Sequence, residues 1–199
     1  MKKWKYKTPG IPDDFFVRGE VPMTKEEIRS VILSKLKLKD DLITYDIGAG
    51  TGSVAIEISF QVKNGKVYAV EKEAKAINLI EKNKLKFERK NIEIIKGTAP
   101  KSLKSLPPAN RVFIGGSSGN LRDILDIVNK KLHKKGIIVI TAVTLNTLNS
   151  AITHLERLDY KLNICNIAVT RTKKIKKYHM LNALNPIYII TARRKNYDS

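Results

Sequence analysis

The stretch Asp46-Ile47-Gly48-Ala49-Gly50-Thr51-Gly52 places an acid ahead of three glycines at alternate positions. Glycine takes positive φ and lets a ligand approach the backbone closely. A helix expected to begin near Thr51 would present unpaired N–H groups and a partial positive charge. A carboxylate or a phosphate suits such a turn. Nineteen residues beyond Gly52, Glu71 closes an apolar strand pattern. An acid at the end of a second strand can accept both hydroxyls of a ribose. The turn departs from the dinucleotide fingerprint G-x-G-x-x-G, because Ser53 stands where the third glycine belongs. These residues leave two readings open: a nucleoside-bearing ligand, or a glycine turn needed only for packing.

A second small-residue cluster, Phe113-Ile-Gly-Gly-Ser-Ser-Gly119, follows a later strand pattern. It offers backbone N–H groups and hydroxyls ahead of a helix expected near Asn120, and it carries no acid and no amide. Such a corner welcomes an anion; a plain loop is the other reading. His133, His154 and His179 are isolated from one another, so no metal site is expected. The single cysteine, Cys165, lies in an apolar run and reads as a packing thiol.

These residues need a frame. Residues 1–22 hold Pro9, Pro12 and Pro22 with Gly10 and Gly19, an irregular leader. A helix is expected from Thr24, because Thr24 and Glu27 have capping-box spacing and Met23 and Ile28 could form the staple. Strand and helix patterns then alternate. Strands are expected at LITYDI, KVYAVE, NIEIIKG, NRVFIGG and KGIIVITAV, with helices between them and a further helix through Leu145 to Leu158. This alternation predicts a parallel sheet with helices on both faces. The end breaks the rhythm: YKLNICNIAVTRTKK and NPIYIITARR both read as strands and predict a hairpin, its last strand antiparallel on the sheet. One domain spanning 1–199 is expected.

Lysine and arginine number 38 against 19 acids, a net charge of +19. Such a field draws polyanions: nucleic acid, an acidic membrane, or a small ligand rich in carboxylates. The lysines are scattered, densest at Lys173, Lys174, Lys176 and Lys177, and a solvated lysine-rich surface is an equal reading. The start has lysines but no apolar core behind them, unlike a secretory signal. No apolar run approaches the ~20 residues that span a bilayer. A cytoplasmic protein is expected.

DIGAGTG followed by VYAVE resembles motifs I and II of the class I S-adenosylmethionine-dependent methyltransferases, and the strand plan fits their Rossmann-like fold across roughly residues 24–194. The resemblance implies a seven-stranded, mostly parallel α/β sheet whose last strand is antiparallel. It implies that Gly48, Ala49, Gly50, Thr51 and Gly52 line the methionine part of the cofactor, that Asp46 meets its ammonium group and that Glu71 binds its ribose. Many relatives carry an acid where this chain has Thr98 and Ala99, so the backbone there is expected to hold adenine.

Several segments narrow the resemblance. GIPDDFFVRGEVPMTKEEIR, FIGGSSGN, ITAVTLNT and YHMLNALNPIYII together resemble the precorrin methyltransferases of the cobalamin pathway, nearly end to end. This implies methyl transfer to carbon 15 of a cobalt-precorrin and decarboxylation of the acetate at carbon 12. The substrate is then a polycarboxylate tetrapyrrole, consistent with the charge. It implies that Thr24 closes over the cofactor, and it suggests Arg18, Gly116, Ser117, Ser118, Thr144 and Arg171 on the substrate side. A homotetramer is implied, with no membrane and no nucleic acid as partner. The segment KIKKYHM departs from the family's glycine turn, which leaves that loop's shape open. Two alternatives stand. A tRNA adenine methyltransferase is favoured by the charge and opposed by Gly115 and Gly116 where a catalytic acid would stand. A nucleotide-binding module without catalysis is the other.

Overall fold

A computed structural model describes residues 4–195 of the chain. The leader carries only a short 3-10 turn, Asp13–Phe15. The elements that follow are α1 (Glu26–Leu36), β1 (Ile43–Ile47), α2 (Ser53–Gln61), β2 (Lys66–Glu71), α3 (Ala74–Lys86), β3 (Ile92–Lys96), β4 (Ala109–Ile114), α4 (Leu121–Lys131), β5 (Leu132–Ala142), α5 (Leu145–Arg157), β6 (Tyr160–Ile167), β7 (Thr170–Ile175), β8 (Tyr178–Ala183) and β9 (Ile187–Arg194). Seven strands form one sheet in the order β3-β2-β1-β4-β5-β9-β6. Neighbouring strands among β1 to β5 run parallel, and β9 enters antiparallel between β5 and β6.

The order reverses between β1 and β4, which opens a crevice at their carboxyl ends. Both faces of the sheet are covered. On one, Ile32, Leu36, Ile56, Ile58, Ile80 and Val139 join α1, α2 and α3 to the strands. On the other, Ile47, Leu125, Val128, Ile138 and Leu155 join α4 and α5. The doubly covered sheet explains why the central strands read as continuous apolar runs rather than alternating ones.

Two expectations are corrected. Helix α1 begins at Glu26, and its N-cap residue is Lys25, with no side-chain cap. The Glu27 member of the capping box is engaged elsewhere. The Thr24 carbonyl accepts from the buried Arg29 guanidinium, and the Glu27 carboxylate is taken by Arg171. The late strand pattern is also two strands, not one. β6 ends at Ile167, and β7 pairs with β8 as a separate two-stranded hairpin, closed at its base by the Leu184 N–H donating to the Val169 carbonyl. Polar residues dominate β7, and β8 is exposed throughout, so neither strand has a core face to announce it.

The leader is irregular but anchored. Ile11 and Phe16 are buried in the α1–α2 side of the core. The N–H groups of Gly10 and Ile11 donate to the Glu57 carboxylate at 2.7 and 3.2 Å. Arg29, with no exposed surface, links Glu57 (2.7 Å) to Asp13 (2.8 Å). A buried charge is tolerated only when paired and hydrogen-bonded in this way. The pair ties α1, the leader and α2, the helix that leaves the glycine turn.

Candidate active site

The glycine turn joins β1 to α2 at the crevice. Gly48, Gly50 and Gly52 take φ of 71°, 56° and 75°, so the sequence pattern is a conformational requirement. The N–H groups of Gly48 and Ala49 donate to the Val70 carbonyl at 3.0 and 3.2 Å, which docks the turn on β2. A side chain at Gly48 would meet the Gly116 backbone at 2.5 Å, whereas one at Gly50 would meet nothing closer than the Pro22 carbonyl at 3.5 Å. Gly48 therefore lets the β1 and β4 loops touch, and a Cβ at Gly50 would find only ordinary contacts.

Glu71, at the end of β2, has a part that its spacing did not reveal. One carboxylate oxygen accepts the Gly50 N–H at 2.9 Å, and the other accepts the N–H groups of Lys72 and Glu73 at 2.8 and 3.0 Å. The acid thus pins the glycine turn and stays aimed into a cavity of about 310 Å³. That cavity is shared by Glu71, Thr98, Ala99, Gly116, Ser117 and Ser118. Gly116, Ser117 and Ser118, expected on the substrate side, thus face the same space as the residues expected around ribose and adenine. Ser118 and Gly119 take φ of 48° and 85°, turning the chain into α4.

A second cavity, about 490 Å³, adjoins the first across Gly48. Thr24, Gly50 and Thr51 line it together with Lys25, Phe113 and Asn185. Beneath the turn, Asp46 is wholly buried, and neither carboxylate oxygen has a hydrogen-bond partner of normal geometry. Burial pushes its pKa up to about 7 against the pull of the Ala55 backbone N–H, with Glu71 adding to the rise. The Thr51 hydroxyl is likewise buried without a partner. Buried polar atoms are nearly always satisfied, so these orphans point to a missing cationic or donor group.

Three expected substrate residues sit elsewhere. The Arg171 guanidinium is bound to Glu27 at 2.8 and 2.5 Å and to Asp13 at 3.1 Å. Its expected carboxylate partners belong to the protein itself. Thr144 is the N-cap of α5, its hydroxyl accepting the Thr147 N–H at 3.1 Å. Arg18 is exposed and lines neither cavity. Conversely, Lys25, Thr141 and Asn185 line the larger cavity and went unassigned. All three stand in segments that carry the family resemblance: Lys25 in PMTK, Thr141 in ITAVTLNT and Asn185 in the NP pair ahead of β9.

β4 is followed by Gly115 and Gly116, so no acid stands at its end. No group of three or more His, Cys, Asp or Glu able to hold a metal occurs among the described residues. His154 is a core residue bonded to Asp126 at 2.8 Å, and Cys165 packs half-buried against the core. No helix among the described residues is long and apolar enough to cross a membrane.

Residues 14–194 match the family described as the precorrin methyltransferase domain. Over 197 residues the chain is 42% identical to a protein of Saccharolobus solfataricus named "Probable cobalt-precorrin-6B C(15)-methyltransferase (decarboxylating)", covering 96% of this chain and 99% of the relative. A Salmonella typhimurium protein, named cobalt-precorrin-6B C(15)-methyltransferase (decarboxylating), is 35% identical over 93% of this chain and 96% of its own. The crystal structure of precorrin-6y C5,15-methyltransferase from Geobacter metallireducens superposes with a TM-score of 0.90 at 43% identity, covering 94% of this chain and 98% of that one.

Proposed function

The chain belongs to the precorrin methyltransferase family, and from that premise we propose that it transfers a methyl group from S-adenosylmethionine to carbon 15 of cobalt-precorrin-6B, with loss of carbon dioxide from the acetate at carbon 12, in cobalamin biosynthesis. The observation that carries this reading is the end-to-end identity to relatives bearing that name. The two cavities that meet at the glycine turn support it.

The residues present fit the cofactor. In this reading the buried Asp46, which lines neither cavity, acts on the ammonium group from beneath the turn, and Gly50 leaves room for a ligand against the backbone. Gly48, Ala49 and Thr51 complete the cradle, while Gly52 lines neither cavity and packs against Ile80. Glu71, already oriented by three backbone N–H groups, keeps lone pairs for the ribose hydroxyls. Thr98, Ala99 and Gly116 to Ser118 enclose the adenine end. Thr24 borders the larger cavity beside the turn. When bound, the cofactor supplies an electrophilic methyl group on a positively charged sulfur.

The acceptor reading falls on the larger cavity. Phe113 and Gly115 form its β4 wall, Lys25 offers a cation to a substrate carboxylate, and Asn185 an amide. No general base stands among Phe113 to Gly119. Catalysis in this reading rests on holding the acceptor carbon in line and keeping water out. Cytoplasmic residence and a homotetramer belong to the same proposal. Ile175, Tyr178 and Met180, exposed on one face of the β7–β8 hairpin, with Leu181 on the other, supply apolar surface for assembly.

Mass spectrometry of cobalt-precorrin-6B after incubation with the protein and S-adenosylmethionine tests the activity. Gain of one methyl with loss of carbon dioxide is the expected result. An unchanged tetrapyrrole, with the cofactor shown to bind, overturns it.

A further inference from the structure

The larger cavity is too small to enclose the acceptor. Cavities of roughly 300–1,000 Å³ bury drug-sized ligands. This one measures about 490 Å³, and the glycine turn in its wall must also admit the methyl-bearing end of the cofactor. A tetrapyrrole with its acetate and propionate chains is larger than such ligands. Only its reacting edge can enter, so most of the macrocycle lies outside, on the surface that continues the cavity.

That surface begins at Val143. It follows β5 and lines the cavity, yet it is 71% exposed. Two positions on, Leu145 is also 71% exposed. The Thr144 backbone between them is extended, which sets the two side chains on the same side of the chain. The Thr144 hydroxyl accepts the Thr147 N–H and caps α5, so the segment is fixed where strand gives way to helix. Isolated exposed apolar side chains are ordinary on any protein. These two are paired, held by a helix cap and continuous with a cavity.

The chemistry of this mouth matches the two parts of a tetrapyrrole. Its faces are apolar, and its rim carries carboxylates. Among the described residues that line the cavity, Lys25 alone is charged. Val143 and Leu145 add an uncharged face outside it.

We propose that Val143 and Leu145 form a ledge that supports one face of the substrate's macrocycle while its reacting edge enters the larger cavity. The ledge selects for a wide, flat, apolar ring and adds nothing for a small acceptor that the cavity alone can hold. The proposal rests on the tetrapyrrole reading above.

Val143→Thr with Leu145→Gln keeps size and charge and removes the apolar face. Both positions are exposed, so thermal unfolding is expected to stay as in the unaltered chain. The two chains are compared with cobalt-precorrin-6B in two assays: direct binding, followed by the tetrapyrrole absorbance, and turnover, followed by methyl gain and loss of carbon dioxide. The variant is expected to bind the tetrapyrrole about tenfold more weakly, with the loss appearing in KM rather than kcat. The difference should persist at high salt, because apolar contact is not screened. Unchanged tetrapyrrole affinity in the variant overturns the ledge and leaves the assigned reaction standing. An unaltered chain that binds the tetrapyrrole without converting it overturns the reaction, and the two affinities still decide the ledge. No binding by the unaltered chain overturns both. A variant that sediments as a smaller species shows that a second copy of the chain covers these side chains, which also overturns the ledge.

Discussion

Asp46 shows how a single residue can oppose the fold that holds it. Its pKa rises from the ordinary 3.8 to about 7 because burial disfavours the charged form. Between those values the folded chain holds a proton that the unfolded chain has lost. The stability of the ligand-free protein therefore falls as pH rises through that window. Asp46→Asn is expected to raise the unfolding free energy at pH 8, by an amount on the order of 2 kcal/mol, while weakening cofactor binding. Thermal unfolding with and without S-adenosylmethionine measures both effects; a variant that binds the cofactor normally removes Asp46 from the ammonium site. The glycines divide in the same manner. Gly48→Ala drives a methyl into the Gly116 backbone and is expected to cost roughly 1–3 kcal/mol of stability. Gly50→Val meets only ordinary contacts at its Cβ, the Pro22 carbonyl at 3.5 Å and Val21 at 3.7 Å, so it should fold with a loss of roughly 1–2 kcal/mol for the strained φ, and lose the cofactor. Equilibrium dialysis decides, since saturable binding by Gly50→Val would make the turn a packing feature only.

Among the elements, the β7–β8 hairpin depends most on side-chain anchors. Arg171 on β7 reaches Glu27 on α1 and Asp13 in the leader. The Arg171 hydrogen bond holds the Glu27 pKa below its ordinary 4.5. A depressed carboxyl contributes stability above the unfolded value and loses it as pH falls through the folded one. The anchor should thus stay intact from neutrality down to the ordinary carboxylate range and release in stronger acid. Arg171→Ala is expected to reproduce that release at neutral pH, read as faster amide exchange across residues 170–183 with little change in β1–β5. The hairpin also carries the assembly proposal. Met180→Glu with Leu181→Glu, at positions 52% and 77% exposed, should leave the monomer's stability within about 0.5 kcal/mol. Sedimentation should show these chains as smaller species, and an unaltered tetramer would move the interface elsewhere.

On the scale of the whole molecule, a charge of +19 sets long-range behaviour rather than fold. A substrate bearing many carboxylates should associate more slowly as salt rises, because the Debye length shortens to ~8 Å near 0.15 M. Cofactor affinity, set by short contacts around the glycine turn, should change much less. Binding kinetics of the two ligands across a salt series compare them directly. An equal response from both would show that the charge steers neither.

The sequence by itself determined the alternation of strands and helices, the glycine turn and the acid at the end of β2. Each is a local property: periodicity, φ preference and spacing act within a few residues of one another. It also carried the family resemblance, because the motifs that mark it are short and contiguous. Only the tertiary structure decided which side chains remain available for a ligand. Arg171 was legible as a carboxylate-binding arginine, but its partners, Glu27 and Asp13, lie 144 and 158 residues away along the chain. The capping box was lost for the same reason, since the Glu27 carboxylate is engaged by the distant Arg171. Lys161 and Arg193 face each other solely because β9 runs back between β5 and β6. Charge pairing and burial depend on which strands become neighbours, and that is fixed by packing the whole sheet rather than by any one stretch of residues.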